Sequence, residues 1–400
     1  MGKLVHPRLQ RSELPMKHVS QKQHQARLRS AHRRTRKNFR RKRLAWAKFN
    51  NRQAAIPGIL SRTSGLAETS IGSAIMLPAP RHISLRRNYE EVVQFVNDIR
   101  TLVFEHRRKV CIDFNTLERI SPAAMLYLTA EFYRCRRIGG FHNSLTGTYP
   151  TNPDIANVLD QVGFFELLDV HPPLTDVETA ADTDIEYIRY FTSNEAKTVL
   201  AKQLRVALTA GAGAVNEHAR GRMFAGLAEA MNNAIQHAYL KGLPNTCPVM
   251  TNRWWMAGSV DHKRKEFQII FYDQGVGIPR TLPHLHGRTA IGRLLERFSL
   301  VRNDGNLIKA AMELRESRTK QAHRGRGLKD VRDFVDVCDD GWLRILSGYG
   351  EYTYHSGGVE NIANHSKSIG GTLIQWKVSQ QALIEEFEDG HEDSHIGRLH

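Results

Sequence analysis

From about Leu77 onward the chain alternates between helical and strand-like hydrophobic spacing. Val92, Val93, Phe95, Val96, Ile99, Leu102 and Val103 recur at the helical period and predict a helix over residues 89–105. Residues 110–114 form a short apolar run that predicts a strand. After a polar loop, Ser121-Pro122 opens a strong helix, with serine suited to the N-cap, proline to the first turn, and Ala123 to Tyr133 as the buried face. A further helix is expected over 154–165. A second folded unit begins near Arg189, with helical stretches at 195–209 and 219–239 and strand-like runs at 247–257, 266–272, 342–347 and 372–378. Trp254-Trp255 falls in one of these runs and is expected in the core or at an interface. Alternating helices and strands predict an α/β fold, and no internal repeat is visible.

Three stretches break this rhythm. Residues 51–76 are rich in Ala, Gly, Ser and Thr without a sustained period, which suits a linker. Residues 280–324 are long, polar and basic, with helix-like pieces near 291–298 and 307–316. That is too long for an ordinary connection and predicts a lid or a binding insertion. Residues 381–400 form an acidic tail. Its cluster from His391 to His395 has metal-ligating types, but the reading taken is a solvated tail.

Charge is distributed unevenly. The 400 residues carry a formal net charge of +16, yet residues 1–50 hold 16 Lys or Arg and one acid, so the remainder is nearly neutral. The densest part of this arm contains Arg33, Arg34, Arg36, Lys37, Arg40, Arg41, Lys42 and Arg43. Packed cations cannot bury a core, so a disordered or marginally helical arm is expected. Its natural counter-surface is the nucleic-acid backbone, where neutralised phosphates release counterions. An anionic membrane normally wants an apolar stripe beside the charge, and only Leu44, Trp46 and Phe49 are at hand. An acidic protein partner and a purely solubilising role stay open.

Composition narrows the classes further. A hydrophobic content of 41% with 24% charged residues excludes whole-chain disorder. No apolar run approaches the roughly 20 residues of a membrane helix, and the first residues are basic rather than an apolar signal core. Cys111, Cys135, Cys247 and Cys338 are too scattered for a zinc-ligand set or a disulfide framework, so a cytoplasmic location is expected.

Four blocks carry candidate chemistry. Glu229, Asn233 and His237 stand at i, i+4 and i+8 in a predicted helix and share one face, either a solvated stripe or one wall of a site. Asp273-Gln274-Gly275-Val276-Gly277 ends an apolar strand in an acid followed by alternating glycines, as an ordinary turn or a close backbone approach to a ligand would need. Arg324-Gly325-Arg326-Gly327-Leu328 precedes an amphipathic helix, whose first N–H groups make an anion site. Gly370-Gly371-Thr372 enters a strand. There is no GxxxxGK[ST] phosphate loop, and Gly211-Ala-Gly213 lacks the third glycine of a dinucleotide fingerprint.

In this order the four blocks resemble the N, G1, G2 and GT boxes of the GHKL ATP-binding superfamily, over about residues 190–380. The resemblance implies ATP and Mg²⁺ as cofactors. It implies that Asn233 holds the Mg²⁺ bridging the phosphates, and that Glu229 orients or deprotonates the attacking water or hydroxyl. Asp273 would accept from the adenine amino group, and Thr372 would support the adenine end. Gly275 and Gly277 would let the chain pass close to the nucleotide, and Gly325, Arg326, Gly327 and Leu328 would close on the phosphates. His237 is assigned to packing or to support of the site.

Residues 77–175 are similar, more faintly, to a STAS domain, the fold of anti-sigma-factor antagonists. The similarity runs from the 110–114 strand to Ser121-Pro122-Ala123-Ala124. Members of that family can be phosphorylated at a serine near this helix start, but this chain has Ser-Pro-Ala in place of an Asp-Ser-Ser-Gly type sequence. Beside the basic arm (1–50) and the linker (51–76), these resemblances imply a STAS-like α/β domain (77–175) able to dock a protein partner and a GHKL α/β sandwich (190–380), with the 280–324 insertion as its lid. The implied activity is an ATP-regulated switch with slow Mg²⁺-dependent hydrolysis and a nucleic-acid-binding arm. The alternatives are an anti-sigma-type protein serine kinase and a nucleic-acid-binding adaptor with a non-hydrolysing ATP site.

Overall fold

A computed structural model describes residues 70–71, 74–139, 144–168, 185–195, 217–245, 247–250, 252–314, 328–338 and 340–379. The basic arm, the expected helix at 195–209 from residue 196 on, Gly325, Arg326, Gly327 and the acidic tail lie outside the described residues.

The first half opens with two short strands, β1 (Ser70–Ile71) and β2 (Ala74–Pro78), followed by β3 (His82–Ile83) and helix α1 (Tyr89–Arg100), which continues as a π-turn over Thr101–Glu105. Then come β4 (Lys109–Asp113), β5 (Arg119–Ile120), α2 (Pro122–Ile138), β6 (Leu145–Gly147), α3 (Pro153–Gln161) and α4 (Phe164–Leu167). The sheet order is β1-β2-β4-β6. β2, β4 and β6 run parallel and β1 is antiparallel to β2, while β3 and β5 form a separate parallel pair.

Two expectations for this half shift and one holds. Strand β2 begins inside the expected linker, because Ile75 and Leu77 alternate into the core within an otherwise small-residue stretch. The expected helix at 154–165 is two helices, divided at Gly163, whose left-handed φ of 79° ends the first. Ser121 caps α2 as expected, its Oγ accepting from the Ala124 N–H at 3.4 Å.

The second half holds β7 (Ile185–Ser193), α5 (Glu217–Gln236), β8 (Trp254–Asp261) and β9 (Glu266–Asp273). Next are α6 (Ile278–His286), α7 (Arg288–Arg297), α8 (Asp304–Glu313) and α9 (Leu328–Asp336). Four strands close it: β10 (Gly341–Ser347), β11 (Gly350–His355), β12 (Glu360–Asn364) and β13 (Thr372–Ser379). The seven strands pair antiparallel in the order β12-β11-β10-β13-β9-β8-β7. Strand β8 starts at Trp254 rather than near residue 247: Pro248 has no N–H for a ladder, and Asn252 takes a positive φ of 60°.

Both faces of this sheet are buried. Along β8 and β9, Trp254, Met256, Ile269 and Phe271 pack against α5, α8 and α9. Trp255, Ala257, Ile270 and Tyr272 alternate to the other face and join the core of the first half. Both tryptophans are 0% exposed, and Trp255 meets Tyr133 of α2 edge-on at 5.1 Å. The two halves, expected as separate domains, therefore share a core and form one compact unit. Helices α6, α7 and α8 enclose a small apolar cluster of their own, with Leu282, Ile291, Leu295 and Leu307.

Candidate functional site

The cavity on the α5 side of the sheet gathers most of the predicted residues. Glu229 and Asn233 reach it from α5, His237 from just past the end of that helix, Asp273 from the end of β9, Gly277 from the following turn, and Thr372 from the start of β13. The other wall is supplied by α6 and α8 through Thr281, Leu282 and Ala311. A spacing of four puts Glu229, Asn233 and His237 on one half-buried stripe that lines the cavity. Asn233 Nδ2 donates to Glu229 Oε1 at 3.0 Å, so the two side chains are held side by side.

Asp273 is placed by the sheet. The ladder pairs it with Thr372 on one side and Trp254 on the other, both at strand ends. Its carboxyl accepts from the Gly275 N–H at 2.9 Å and from the Thr372 N–H. It is 5% exposed and has no ion-pair partner among the described residues. Burial therefore dominates and pushes its pKa up to about 7, with the two N–H bonds pulling the other way.

Both glycines are packed tightly within the turn. A Cβ on Gly275 would stand 2.3 Å from the Ala238 carbonyl oxygen, so this glycine is needed where the turn crosses the end of α5. Gly275 faces a different cavity from Asp273. Gly277 has φ 84° and a Cβ there would meet Ser347 Oγ at 3.0 Å. Both close approaches are to the protein's own chain.

Two positioning residues escaped the sequence reading. Ser347, fully buried at the end of β10, accepts from the Ile278 N–H at 2.8 Å and lies 2.9 Å from Thr372 Oγ1, tying β10, β13 and the turn together. Tyr239 accepts from the Gln274 N–H at 3.0 Å and donates to the Arg253 carbonyl at 2.6 Å. Nothing in a lone strand-end serine or a tyrosine past a helix end marks such a role before the strands are paired. Leu328 is the first residue of α9, the one member of the third block that is described.

Among the described residues no group of three or more His, Cys, Asp or Glu side chains can hold a metal ion, and no helix is long and apolar enough to cross a membrane. The chain is thus a mixed α/β protein with a cavity that joins a carboxylate–amide pair to a buried aspartate. It matches no protein-family model and no curated protein.

Proposed function

We propose that this chain is an ATP-binding protein of the GHKL kind, a nucleotide-regulated switch with slow Mg²⁺-dependent hydrolysis. In this reading a STAS-like first half offers a protein-docking surface and the basic arm meets nucleic acid. One observation carries it: Glu229, Asn233, Asp273, Gly277 and Thr372, from three of the four sequence blocks, line a single cavity. The residues also suit the chemistry. Asp273 is a buried acceptor with two N–H donors and no cation, and an adenine amino group supplies a further donor. At the other end Asn233 offers an oxygen atom of the type a hard cation takes, and Mg²⁺ uses few protein ligands when phosphates supply the rest.

The nucleotide with its cation would bring the polarised terminal phosphoryl group. Asn233 holds Glu229 in place through their 3.0 Å hydrogen bond, and Glu229 orients the attacking water and takes its proton. Calorimetry tests the assignment: Asp273→Asn should weaken ATP about tenfold or more, roughly 1.4 kcal/mol, and GTP far less. Glu229→Ala should bind ATP and lose turnover. Equal ATP affinity in wild type and Asp273→Asn would overturn the reading.

Phosphotransfer to a protein serine is the second reading. The capping bond of Ser121 to the Ala124 N–H favours hydrolysis over transfer to this hydroxyl. Labelled γ-phosphate should leave as free phosphate, and stoichiometric label on Ser121 would reverse the ranking.

A further inference from the structure

On the far side of the Asp273–Gly277 turn lies a second cavity, of about 470 Å³. Among the described residues, Arg100, Arg134, Arg280 and Lys367 stand on its wall against a single acid, Asp304. The carboxylate of Asp304 is engaged, taking the Tyr349 N–H at 2.8 Å. Two of the arginines are buried deeply, Arg134 at 1% exposure and Arg100 at 8%.

Arg100 and Arg134 share one counter-ion. Arg100 Nε donates to Glu131 Oε2 at 2.9 Å, and Arg134 donates to the same oxygen. The other oxygen, Oε1, accepts from Tyr272 at 3.0 Å and from Gln274 Nε2 at 2.8 Å. Four donors fill that carboxylate, so it has no capacity for the rest of the two guanidinium groups. Arg100 spends its other donors on Asn97 Oδ1, Tyr127 Oη and the Ile369 carbonyl, whereas Arg134 Nε is buried without a partner among the described residues. Two buried cations against one anion leave an uncompensated positive charge, which is costly in a low-dielectric site unless a ligand balances it.

We propose that this cavity binds a small phosphate-bearing molecule, its oxyanion seated among Arg100, Arg134, Arg280 and Lys367. Guanidinium groups match phosphate oxygens in a bidentate fashion, and arginine outnumbers lysine on this wall. The volume exceeds that of a bare phosphate and falls in the range of small-molecule sites. A phosphate monoester of metabolite size is therefore the class of ligand.

Cys247 gives a direct readout. It lines this cavity and is half-buried, whereas Cys111, Cys135 and Cys338 are buried. Alkylation of the full chain, followed site by site by mass spectrometry, is measured with inorganic phosphate, with glycerol 3-phosphate, and with sodium chloride at matched ionic strength. One or both phosphates should slow Cys247 alkylation several-fold and saturably, and chloride should not. Protection by glycerol 3-phosphate alone identifies a monoester site, and equal protection by inorganic phosphate identifies an oxyanion site. The Arg280→Ala/Lys367→Ala variant changes only residues outside the buried ion cluster and should lose most of the protection. The proposal fails if neither phosphate slows the reaction, if chloride slows it equally, or if the double variant is protected as well as wild type.

Discussion

Asp273 and Gln274 are consecutive, yet their side chains serve opposite sides of the sheet. Asp273 lines the α5-side cavity, while Gln274 faces the first half and donates to the Ala130 carbonyl at 3.2 Å and to Glu131 at 2.8 Å. Strand alternation continued past the end of β9 separates them. The turn that carries the candidate site is thereby anchored on α2, so substitutions on either side read out different properties.

Asp273 should weaken the fold as pH rises. Its carboxyl ordinarily ionises near 3.8 and is pushed up to about 7 in the folded chain. Below about pH 4 it is neutral in both states and costs nothing. Between these values the unfolded chain releases the proton while the folded chain keeps it, so stability falls until about pH 7 and then levels. Asp273→Asn should remove that loss, making the variant more stable than wild type at pH 8 by a few kcal/mol, at about 1.4 kcal/mol per pKa unit. Urea denaturation at pH 4.5 and pH 8 checks it, and an equal difference at both values would contradict the assignment.

If Asp273 accepts the adenine amino group, adenine binding should tighten through the same window. The acceptor is the carboxylate, so affinity should rise between pH 6 and pH 8 and level above. Adenosine is the suitable probe because it carries no phosphate that titrates there. In Asp273→Asn the affinity should be low and flat with pH.

Glu131 shows the opposite sign. Its carboxyl is buried, and burial alone would raise its pKa, but Arg100 and Arg134 hold it down at about 2. Its contribution is complete above about pH 4.5 and is lost as pH falls toward 2. Glu131→Gln should cost about 3–5 kcal/mol at pH 7, because two guanidinium groups lose their counter-charge. The gap between variant and wild type should narrow in acid, which denaturant titrations at pH 7 and pH 3 can follow.

The basic arm should confer salt-sensitive binding to duplex DNA. If about eight of its cations each neutralise a phosphate, log K should fall against log salt with a slope near −7. Deleting residues 1–50 should abolish that binding and leave ATP affinity unchanged. A salt-independent interaction, or undiminished binding by the truncated chain, would contradict it.

Local pattern determined much of this protein before any strand was paired. Helical spacing predicts a helix over 89–105, which the structure holds as Tyr89–Arg100 and a π-turn to Glu105, and Ser121-Pro122 predicts the cap and first turn of Pro122–Ile138. These signals are local because a helix satisfies its own backbone and buries one stripe. The stripe Glu229–Asn233–His237 was likewise readable as one face. Its direction was not, since a stripe carries no label for the wall it meets. Strand β7 hid because an edge strand buries little, and only Ile188 along it is buried. The alternation at Trp254-Trp255 looked like a single apolar run, because a strand covered on both faces has no polar side to mark it. Glu131 and Arg134, three apart on a helix, have the spacing of a solvated surface pair. Only the packing of α2 against β8 and β9 buries them, adds Arg100, and turns an ordinary ion pair into a cluster with more positive charge than negative.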